Sequence, residues 1–173
     1  MCIMTMQKSV IAKMQQIKIV LTDVDGVLTD GGMYYSKDGD VMKRFFTRDG
    51  MGVTLLRKMD IPTVIVTKEK NEIIKQWAKK MKISKLFDGV LNKELILSKI
   101  ESDFKVLPSE VAYIGDDIND LGLLKLVGLS AVPNDAILEA KKISSYQCNQ
   151  NGGYGAFREL VDQIIFAKSI KNN

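Results

Sequence analysis

The sequence predicts an α/β fold built on a mostly parallel, doubly wound sheet. Three short runs rich in Val and Ile each end in an acid, a hydroxyl or both, at residues 17–22, 62–67 and 110–117. Apolar residues at helical spacing fill segments between and after these runs, at residues 50–59, 70–81, 93–104 and 119–127. Strands that alternate with helices of about 10–12 residues are typical of right-handed βαβ units, which build parallel sheets.

Shorter elements extend the predicted sheet and decorate it. Residues 87–90 and 129–133 have the composition of additional strands. Residues 33–45 break the alternation, because an arm with two tyrosines, the sequence KDGD and an arm that ends at Phe45 are typical of a β-hairpin. We therefore expect a hairpin that protrudes from the sheet.

The two ends of the chain carry separate features. Residues 1–16 are expected to form an N-terminal extension, and residues 151–173 a Gly-rich loop, an amphipathic helix and a tail. The chain has no internal repeat and no low-complexity linker. With 173 residues, 46% of them hydrophobic, it can bury the core of one ordinary domain, so a single domain over residues 1–173 is predicted.

The charge and the cysteine content of the chain indicate which kinds of partner and which compartment to expect. The chain has 25 Lys and Arg against 21 Asp and Glu, and its basic residues are spread out rather than gathered in the patch that nucleic-acid binding favours. Two cysteines, Cys2 and Cys148, fit a reducing compartment. No stretch approaches the ~18 apolar residues of a membrane span, so we expect a cytoplasmic protein that binds neither membrane nor nucleic acid.

The chain contains no histidine. This absence excludes Ser-His-Asp triads, Cys-His dyads and zinc sites with histidine ligands. We therefore expect any catalysis to use carboxylates, hydroxyls, lysines and the backbone, together with a hard metal ion.

Acids and hydroxyls collect where the predicted strands end. Asp23 and Asp25 follow the first strand, Thr67 ends the second, and Asp116 follows the third. The carboxyl ends of parallel strands share one edge, where ligands bind in such sheets. Converging carboxylates without histidine fit Mg²⁺, which prefers oxygen ligands and leaves room for a phosphate.

Four motifs give these residues a family context. They are "DVDGVLTDG" from Asp23, "VIVT" ending at Thr67, "NK" at 92–93 and "GDDIND" ending at Asp120. In this order and on these elements they resemble the four motifs of the haloacid dehalogenase superfamily. The resemblance covers essentially the whole chain, and it implies a Rossmann-like fold and phosphoryl transfer.

The resemblance also implies catalytic roles. Asp23 would be the nucleophile that becomes an aspartyl-phosphate, and Asp25 the general acid and then the general base. Thr67 would donate to a phosphoryl oxygen. Lys93 would neutralise charge on the transferring group and on Asp23.

The metal site follows from the same resemblance. Asp23, the backbone carbonyl of Asp25, and Asp116 would hold Mg²⁺. Asp117 and Asp120 would stand behind these ligands and orient water and lysine. Each of two residues also has a structural interpretation. Asp120 could be an acid at a helix N-terminus that interacts favourably with the helix dipole, and Lys93 could be a solvent-exposed residue at the start of a helix.

The chain has no room for a cap domain between the first and second motifs, since only the hairpin and one helix lie there. It therefore resembles the capless branch that cleaves phosphorylated 3-deoxy-2-keto sugar acids as homotetramers. "RDGMG" at 48–52 and "GGYGAFRE" at 152–159 match that branch. Arg48 and Arg158 are accordingly candidate substrate-binding residues, although Arg158 also fits a plain helix-entry loop.

The substrate prediction depends on the second motif. Enzymes for 3-deoxy-D-manno-octulosonate 8-phosphate carry an arginine where this chain has Glu69, whereas phosphatases for nine-carbon acids carry a glutamate and a lysine that matches Lys80. The expected substrate is therefore KDN 9-phosphate or N-acetylneuraminate 9-phosphate, with the octulosonate phosphate as the alternative. Lys68 in place of glycine and Trp77 in place of arginine depart from the nine-carbon pattern. Glu69 also fits a helix N-terminal acid.

A non-enzymatic alternative remains. Similar domains are fused behind sugar-acid cytidylyltransferases, where they can serve in oligomerisation. Such a module could lose a catalytic acid, but this chain retains the residue types that match all four motifs. An enzyme, a phosphoric monoester hydrolase, is therefore the main prediction.

Overall fold

The computed structural model describes residues 7–170. The first six residues of the predicted extension, with Cys2, and the last three residues of the predicted tail lie outside the described residues.

Within residues 7–170, eight strands form a parallel sheet and a separate hairpin. They are β1 (Ile19–Thr22), β2 (Tyr34–Ser36), β3 (Gly39–Met42), β4 (Thr63–Val66), β5 (Lys85–Phe87), β6 (Val111–Ile114), β7 (Leu129–Val132) and β8 (Tyr146–Gln147). The sheet has the order β5-β4-β1-β6-β7-β8, and every neighbouring pair in it is parallel. The predicted α/β fold with a mostly parallel sheet and a small hairpin is confirmed.

In the described part of the chain, seven α-helices accompany the strands. They are α1 (Lys8–Gln16), α2 (Thr47–Lys58), α3 (Glu72–Met81), α4 (Leu97–Phe104), α5 (Leu121–Leu126), α6 (Leu138–Ile143) and α7 (Ala156–Ser169). The helices predicted at 93–104 and 119–127 begin with 3₁₀ turns, Lys93–Ile96 and Ile118–Asp120. Both turns lie at the carboxyl edge of the sheet and carry predicted site residues.

The sheet is covered on both faces, as its central strand shows. Along β1, Val20 packs into a core with residues of α1, α2, α3 and α7, whereas Ile19 and Leu21 pack into a second core with residues of α4, α5 and α6. All three side chains are fully buried. Full burial of such a side chain contributes about 1.5–3 kcal/mol, so β1 is held firmly below the site residues that follow it.

Three elements were not predicted: α1, α6 and β8. Helix α1 lies within the expected N-terminal extension and packs Met14 into the core beside α7. Its apolar residues are few, because one side of the helix faces solvent. Helix α6 and strand β8 have only six and two residues, too few for a clear period in the sequence.

The hairpin is anchored at its base and exposed at its tip. Ser36 pairs with Gly39, so the turn is tighter than the predicted KDGD loop. At the base, Phe45 stacks on Trp77 of α3, with ring centroids 4.6 Å apart. Beyond the base, five apolar side chains are exposed to solvent: Met33, Tyr34, Tyr35, Val41 and Met42.

No helix within residues 7–170 is long and apolar enough to span a bilayer.

Candidate active site

A buried lysine lies between two buried carboxylates at the carboxyl edge of the sheet. Asp23 directly follows β1, and Lys93 begins the 3₁₀ turn before α4. The Lys93 Nζ lies 2.8 Å from Asp23 Oδ2 and 2.6 Å from Asp120 Oδ1. The side chains of Lys93 and Asp120 are 0% exposed and that of Asp23 is 7% exposed. Buried charges need such pairing, so Lys93 is no solvated helix start.

Asp120 organises the loop that follows β6. Its Oδ1 accepts hydrogen bonds from Lys93 and, at 2.5 Å, from the Tyr113 hydroxyl. Its Oδ2 accepts from the backbone N–H groups of Asp116, at 2.7 Å, and Asp117, at 3.1 Å. A Cβ at Gly115 would lie 2.5 Å from the Asp120 Cγ, so the close approach requires glycine there. With four donors on two oxygens, Asp120 positions Lys93 and the loop rather than offering a free ligand atom.

Asp116, unlike Asp120, has a buried oxygen that is free to bind a ligand. Its Oδ1 has no hydrogen-bond partner among the described residues, and carboxylate oxygens of Asp23, Asp116 and Asp120 all lie within 4.8 Å of one another. Burial, followed by the charges of Asp23 and Asp120, raises the pKa of Asp116 to about 8. A cation would offset this repulsion, so Asp23 and Asp116 fit a hard metal ion with oxygen ligands.

The turn after β1 is shaped by the same cluster. Gly26 has φ +80°, a conformation that favours glycine, and a Cβ there would overlap the Asp116 carboxylate. Burial raises the pKa of Asp23 to about 7, with Lys93 opposing the rise and Asp120 adding to it. Without a further positive charge, the cluster therefore holds protons near neutral pH.

Asp25 lies at the edge of the cluster and is held by the hairpin. Its Oδ1 accepts from the Thr29 hydroxyl at 3.1 Å and from the Lys43 Nζ at 2.8 Å. The same Nζ lies 2.9 Å from Glu69 Oε2, and the Lys43 side chain is only 3% exposed. Sequence reasoning missed Lys43, because it reads as one residue of a hairpin arm and only the fold brings it to Asp25.

The end of β4 delivers Thr67 to the same edge. The strands β1 and β4 are neighbours, and Thr67 directly follows β4 with its side chain buried. Its hydroxyl oxygen accepts from the backbone N–H of Glu69 at 3.4 Å. Lys68 between them is exposed.

Asp117 and Lys80 lie further out. The Asp117 carboxylate accepts from the backbone N–H of Ile118 at 2.7 Å, so it caps the turn that carries Asp120. Lys80 is exposed in the last turn of α3. Among the described residues, neither side chain is bonded to the Lys93 cluster.

Arg48 and Arg158 line a separate groove of about 520 Å³ beside Tyr154, to which the Lys93 cluster contributes no residue among those described. The Arg158 Nε donates to Asp162 at 2.7 Å. The glycine loop before α7 packs on its own chain, since the Gly153 N–H donates to the Val27 carbonyl at 2.9 Å. Within one chain, then, the two arginines are brought together but not brought to Asp23.

The fold, the buried lysine and the ordered acids define the class of protein. A family model for haloacid dehalogenase-like hydrolases matches residues 53–160, more than half of the chain. The chain belongs to this family.

Several relatives are more specific. The 3-deoxy-D-manno-octulosonate 8-phosphate phosphatase KdsC of Haemophilus influenzae is 36% identical over 156 residues, which cover 90% of this chain and 87% of the relative. The cobalt-bound form of the H. influenzae phosphatase superposes with a TM-score of 0.88 at 36% identity, covering 90% and 91% of the two chains. The Moraxella catarrhalis enzyme, in complex with magnesium, phosphate and KDO, has a TM-score of 0.90 at 30% identity, covering 94% and 93%.

These comparisons confirm the resemblance to capless haloacid dehalogenase phosphatases and the class of phosphoric monoester hydrolase. They also support a bound divalent metal, because two similar structures hold one and this chain has a matching acidic cluster. They favour the octulosonate alternative over the nine-carbon substrates, which none of these relatives is named for.

Proposed function

We propose that the chain is a Mg²⁺-dependent phosphatase that hydrolyses 3-deoxy-D-manno-octulosonate 8-phosphate to the free sugar acid and phosphate. The observation that carries the chemistry is the buried Lys93 between Asp23 and Asp120, beside the unpartnered oxygen of Asp116. The named relatives carry the choice of substrate. The proposal treats residues 1–173 as one catalytic domain.

In the first step, an Asp23 carboxylate oxygen attacks phosphorus. The bond between phosphorus and the sugar oxygen breaks, and the electron pair leaves with that oxygen, which takes a proton from Asp25. Lys93 holds Asp23 and offsets negative charge, and the Thr67 hydroxyl donates to a phosphoryl oxygen.

In the second step, a water molecule attacks the phosphorus of the aspartyl-phosphate. Asp25, now ionised, takes a proton from the water as the bond between phosphorus and Asp23 breaks. Phosphate leaves, Asp23 returns as a carboxylate, and Asp25 is again protonated for the next cycle.

Asp23, Asp116 and the backbone carbonyl of Asp25 would hold the Mg²⁺. When bound, this ion neutralises negative charge on the phosphoryl group and on the acids around it. Asp120 and Asp117 support the site from behind by fixing Lys93 and the turn after β6.

Glu69 gives less support to a nine-carbon substrate than its charge alone suggests. Its carboxylate is paired with Lys43 at 2.9 Å, and although Lys43 is shared with Asp25, this contact offsets part of the negative charge of Glu69. The expected repulsion of an octulosonate substrate by Glu69 is correspondingly reduced. Lys68, exposed beside Thr67, stays a candidate contact for the anionic substrate.

We also propose that the chain works as a homotetramer. Burial of the hairpin against other copies is supported by its exposed apolar side chains, which are Met33, Tyr34, Tyr35, Val41 and Met42. Among the described residues, Lys80, Arg48 and Arg158 have no bond to the Lys93 cluster, and in a tetramer a neighbouring subunit would be a route by which they could contact substrate.

The first test measures phosphate release with and without Mg²⁺ from the octulosonate 8-phosphate, KDN 9-phosphate and N-acetylneuraminate 9-phosphate. We expect kcat/KM to favour the octulosonate phosphate by tenfold or more, which corresponds to about 1.4 kcal/mol of transition-state discrimination. A reversed preference would restore the nine-carbon substrate. No turnover of any of the three would favour an assembly module.

A further inference from the structure

Lys43 is the buried cation of this edge that the proposed reaction leaves without a role. It follows β3 in the hairpin, yet its side chain is 3% exposed and its Nζ lies 2.8 Å from Asp25 and 2.9 Å from Glu69. Interaction with these two carboxylates raises the pKa of Lys43 against the opposing effect of burial, so the side chain stays charged. A charge buried in this way is retained only with such partners.

The two carboxylate oxygens of Asp25 have different surroundings. Thr29 and Lys43 both donate to Oδ1. Among residues 7–170, Oδ2 has no hydrogen-bond partner, and the side chain as a whole is 31% exposed. One oxygen is therefore anchored while the other is left open to solvent or to a bound ligand.

We infer that Lys43 is a positioning residue that holds the acid–base carboxylate of Asp25 so that Oδ2 meets the leaving oxygen of the substrate. Glu69 in turn holds Lys43 in place. Glu69 therefore contributes to the positioning of Asp25, besides any contact that it makes with substrate. The inference rests on the proposed function, because it assigns Asp25 the proton transfer.

The hairpin is rigidly placed for such a task. The Asn71 side-chain amide, which belongs to the residue that caps α3, donates to Asp40 at 2.9 Å. The Phe45 ring stacks on Trp77 of the same helix. Lys43 lies between these two attachments, so the hairpin delivers its ammonium group to Asp25 from a fixed base.

The test compares two phosphate esters that differ in their need for a proton. A sugar alkoxide is a poor leaving group and needs general acid catalysis, whereas p-nitrophenolate leaves without protonation. Because kcat/KM reports the steps through transfer to Asp23, a misplaced Asp25 should affect only the first ester. We expect Lys43→Met to lower kcat/KM by about a hundredfold on the octulosonate phosphate but by less than about threefold on p-nitrophenyl phosphate.

Two further variants sharpen the result. Lys43→Arg keeps the charge and should recover kcat/KM on the sugar phosphate to within about tenfold of the wild type. Lys75→Met is the matched control, since Lys75 also lies near two carboxylates, Glu72 at 2.7 Å and Asp88 at 3.9 Å, but is 47% exposed on α3. Lys75→Met should leave kcat/KM unchanged on both esters.

Each outcome is decisive. Equal losses of Lys43→Met on both esters would mean that Lys43 only supports the fold, and a rise in KM alone on the sugar phosphate would mean that it binds substrate. Either result overturns the inference. A wild-type enzyme that cleaves p-nitrophenyl phosphate but no sugar phosphate would instead overturn the proposed substrate. In that case the leaving-group comparison for Lys43 would be run with glycerol phosphate as the alkyl ester.

Discussion

Two acids, Asp23 and Asp49, are both buried and both have a pKa raised to about 7, chiefly by burial, yet they lie in different surroundings. Asp23 ends a central strand, with Lys93 beside it and two further acids within reach. Asp49 lies in the first turn of α2, where its Oδ1 accepts from the backbone N–H of Arg158 and its Oδ2 has no hydrogen-bond partner within residues 7–170.

The difference shows that a raised pKa alone does not identify a catalytic acid. Gly155, which precedes α7, has no side chain that could cap this helix. Asp49 of α2 instead accepts a hydrogen bond from a backbone N–H in the first turn of α7. Asp49 therefore joins α2 to α7, whereas Asp23 belongs to a cluster of charges that can act on a phosphate. The neighbouring groups decide the role.

The largest expected effect is the difference in kcat between variants in which each of the two acids is replaced. Asp23→Asn removes the proposed nucleophile, and kcat should fall by about a thousandfold or more, because no covalent intermediate can form. Asp49→Asn keeps an acceptor for the Arg158 N–H and should retain kcat within about threefold. The measurement is phosphate release at saturating substrate and Mg²⁺.

Circular dichroism and gel filtration of both variants serve as controls for folding and assembly. If Asp23→Asn kept a tenth of the activity, the nucleophile would have been assigned to the wrong residue. If Asp49→Asn lost activity as completely as Asp23→Asn while folded, the contrast between the two acids would be wrong.

The next expected effect distinguishes the acids of the active-site cluster from Asp49 by how their substitution changes the stabilisation that Mg²⁺ provides. Mg²⁺ that binds only the folded protein should stabilise it by about 2.7 kcal/mol at a hundredfold excess over Kd. Asp116→Asn removes a proposed ligand and should abolish most of this gain, whereas Asp49→Asn should keep it. Thermal unfolding with and without Mg²⁺ measures both. An undiminished gain in Asp116→Asn would place the metal elsewhere.

Much of this contrast was visible in the sequence, because strand-ending acids and ordered motifs are local signals. Asp23, Thr67 and Asp116 follow predicted strands, and their shared edge follows from parallel topology. Lys43 lies in none of the quoted motifs, and Asp49, although it lies within RDGMG, does not follow a predicted strand. Each contacts a residue distant in sequence, Glu69 for Lys43 and Arg158 for Asp49, and those contacts exist only once the hairpin and α7 have packed.

The relatives favour the octulosonate phosphate over the nine-carbon substrates that Glu69 predicts. The contact that offsets part of the charge of Glu69, with Lys43, forms only once the hairpin has packed. Helix α1 was missed because its packing on α7 joins the two ends of the chain. Local patterns do not contain pairings of this kind.

The last expected effect is on the pH dependence of the free energy of unfolding. The pKa of Asp49 lies at about 7 in the folded state, above the value of about 4 in an unfolded chain. Between these values the folded state binds the extra proton, so the wild-type free energy of unfolding should decrease as pH rises through this window. The contribution of Asp49 is at most ~1.4 kcal/mol per pH unit, and it levels off above pH of about 7.

Asp49→Asn cannot ionise, so it should lack this contribution while leaving those of Asp23 and Asp116 in place. The difference in unfolding free energy between variant and wild type, from urea titrations at pH 5 to 8, therefore isolates Asp49. At pH 5 the variant should be no more stable than the wild type, because its amide buries donors in place of an unpartnered oxygen. Toward pH 7 the difference should move in favour of the variant. A difference that stays constant with pH would mean that Asp49 is ionised in the folded protein throughout this range. Asp49 would then lack the raised pKa that it is expected to share with Asp23.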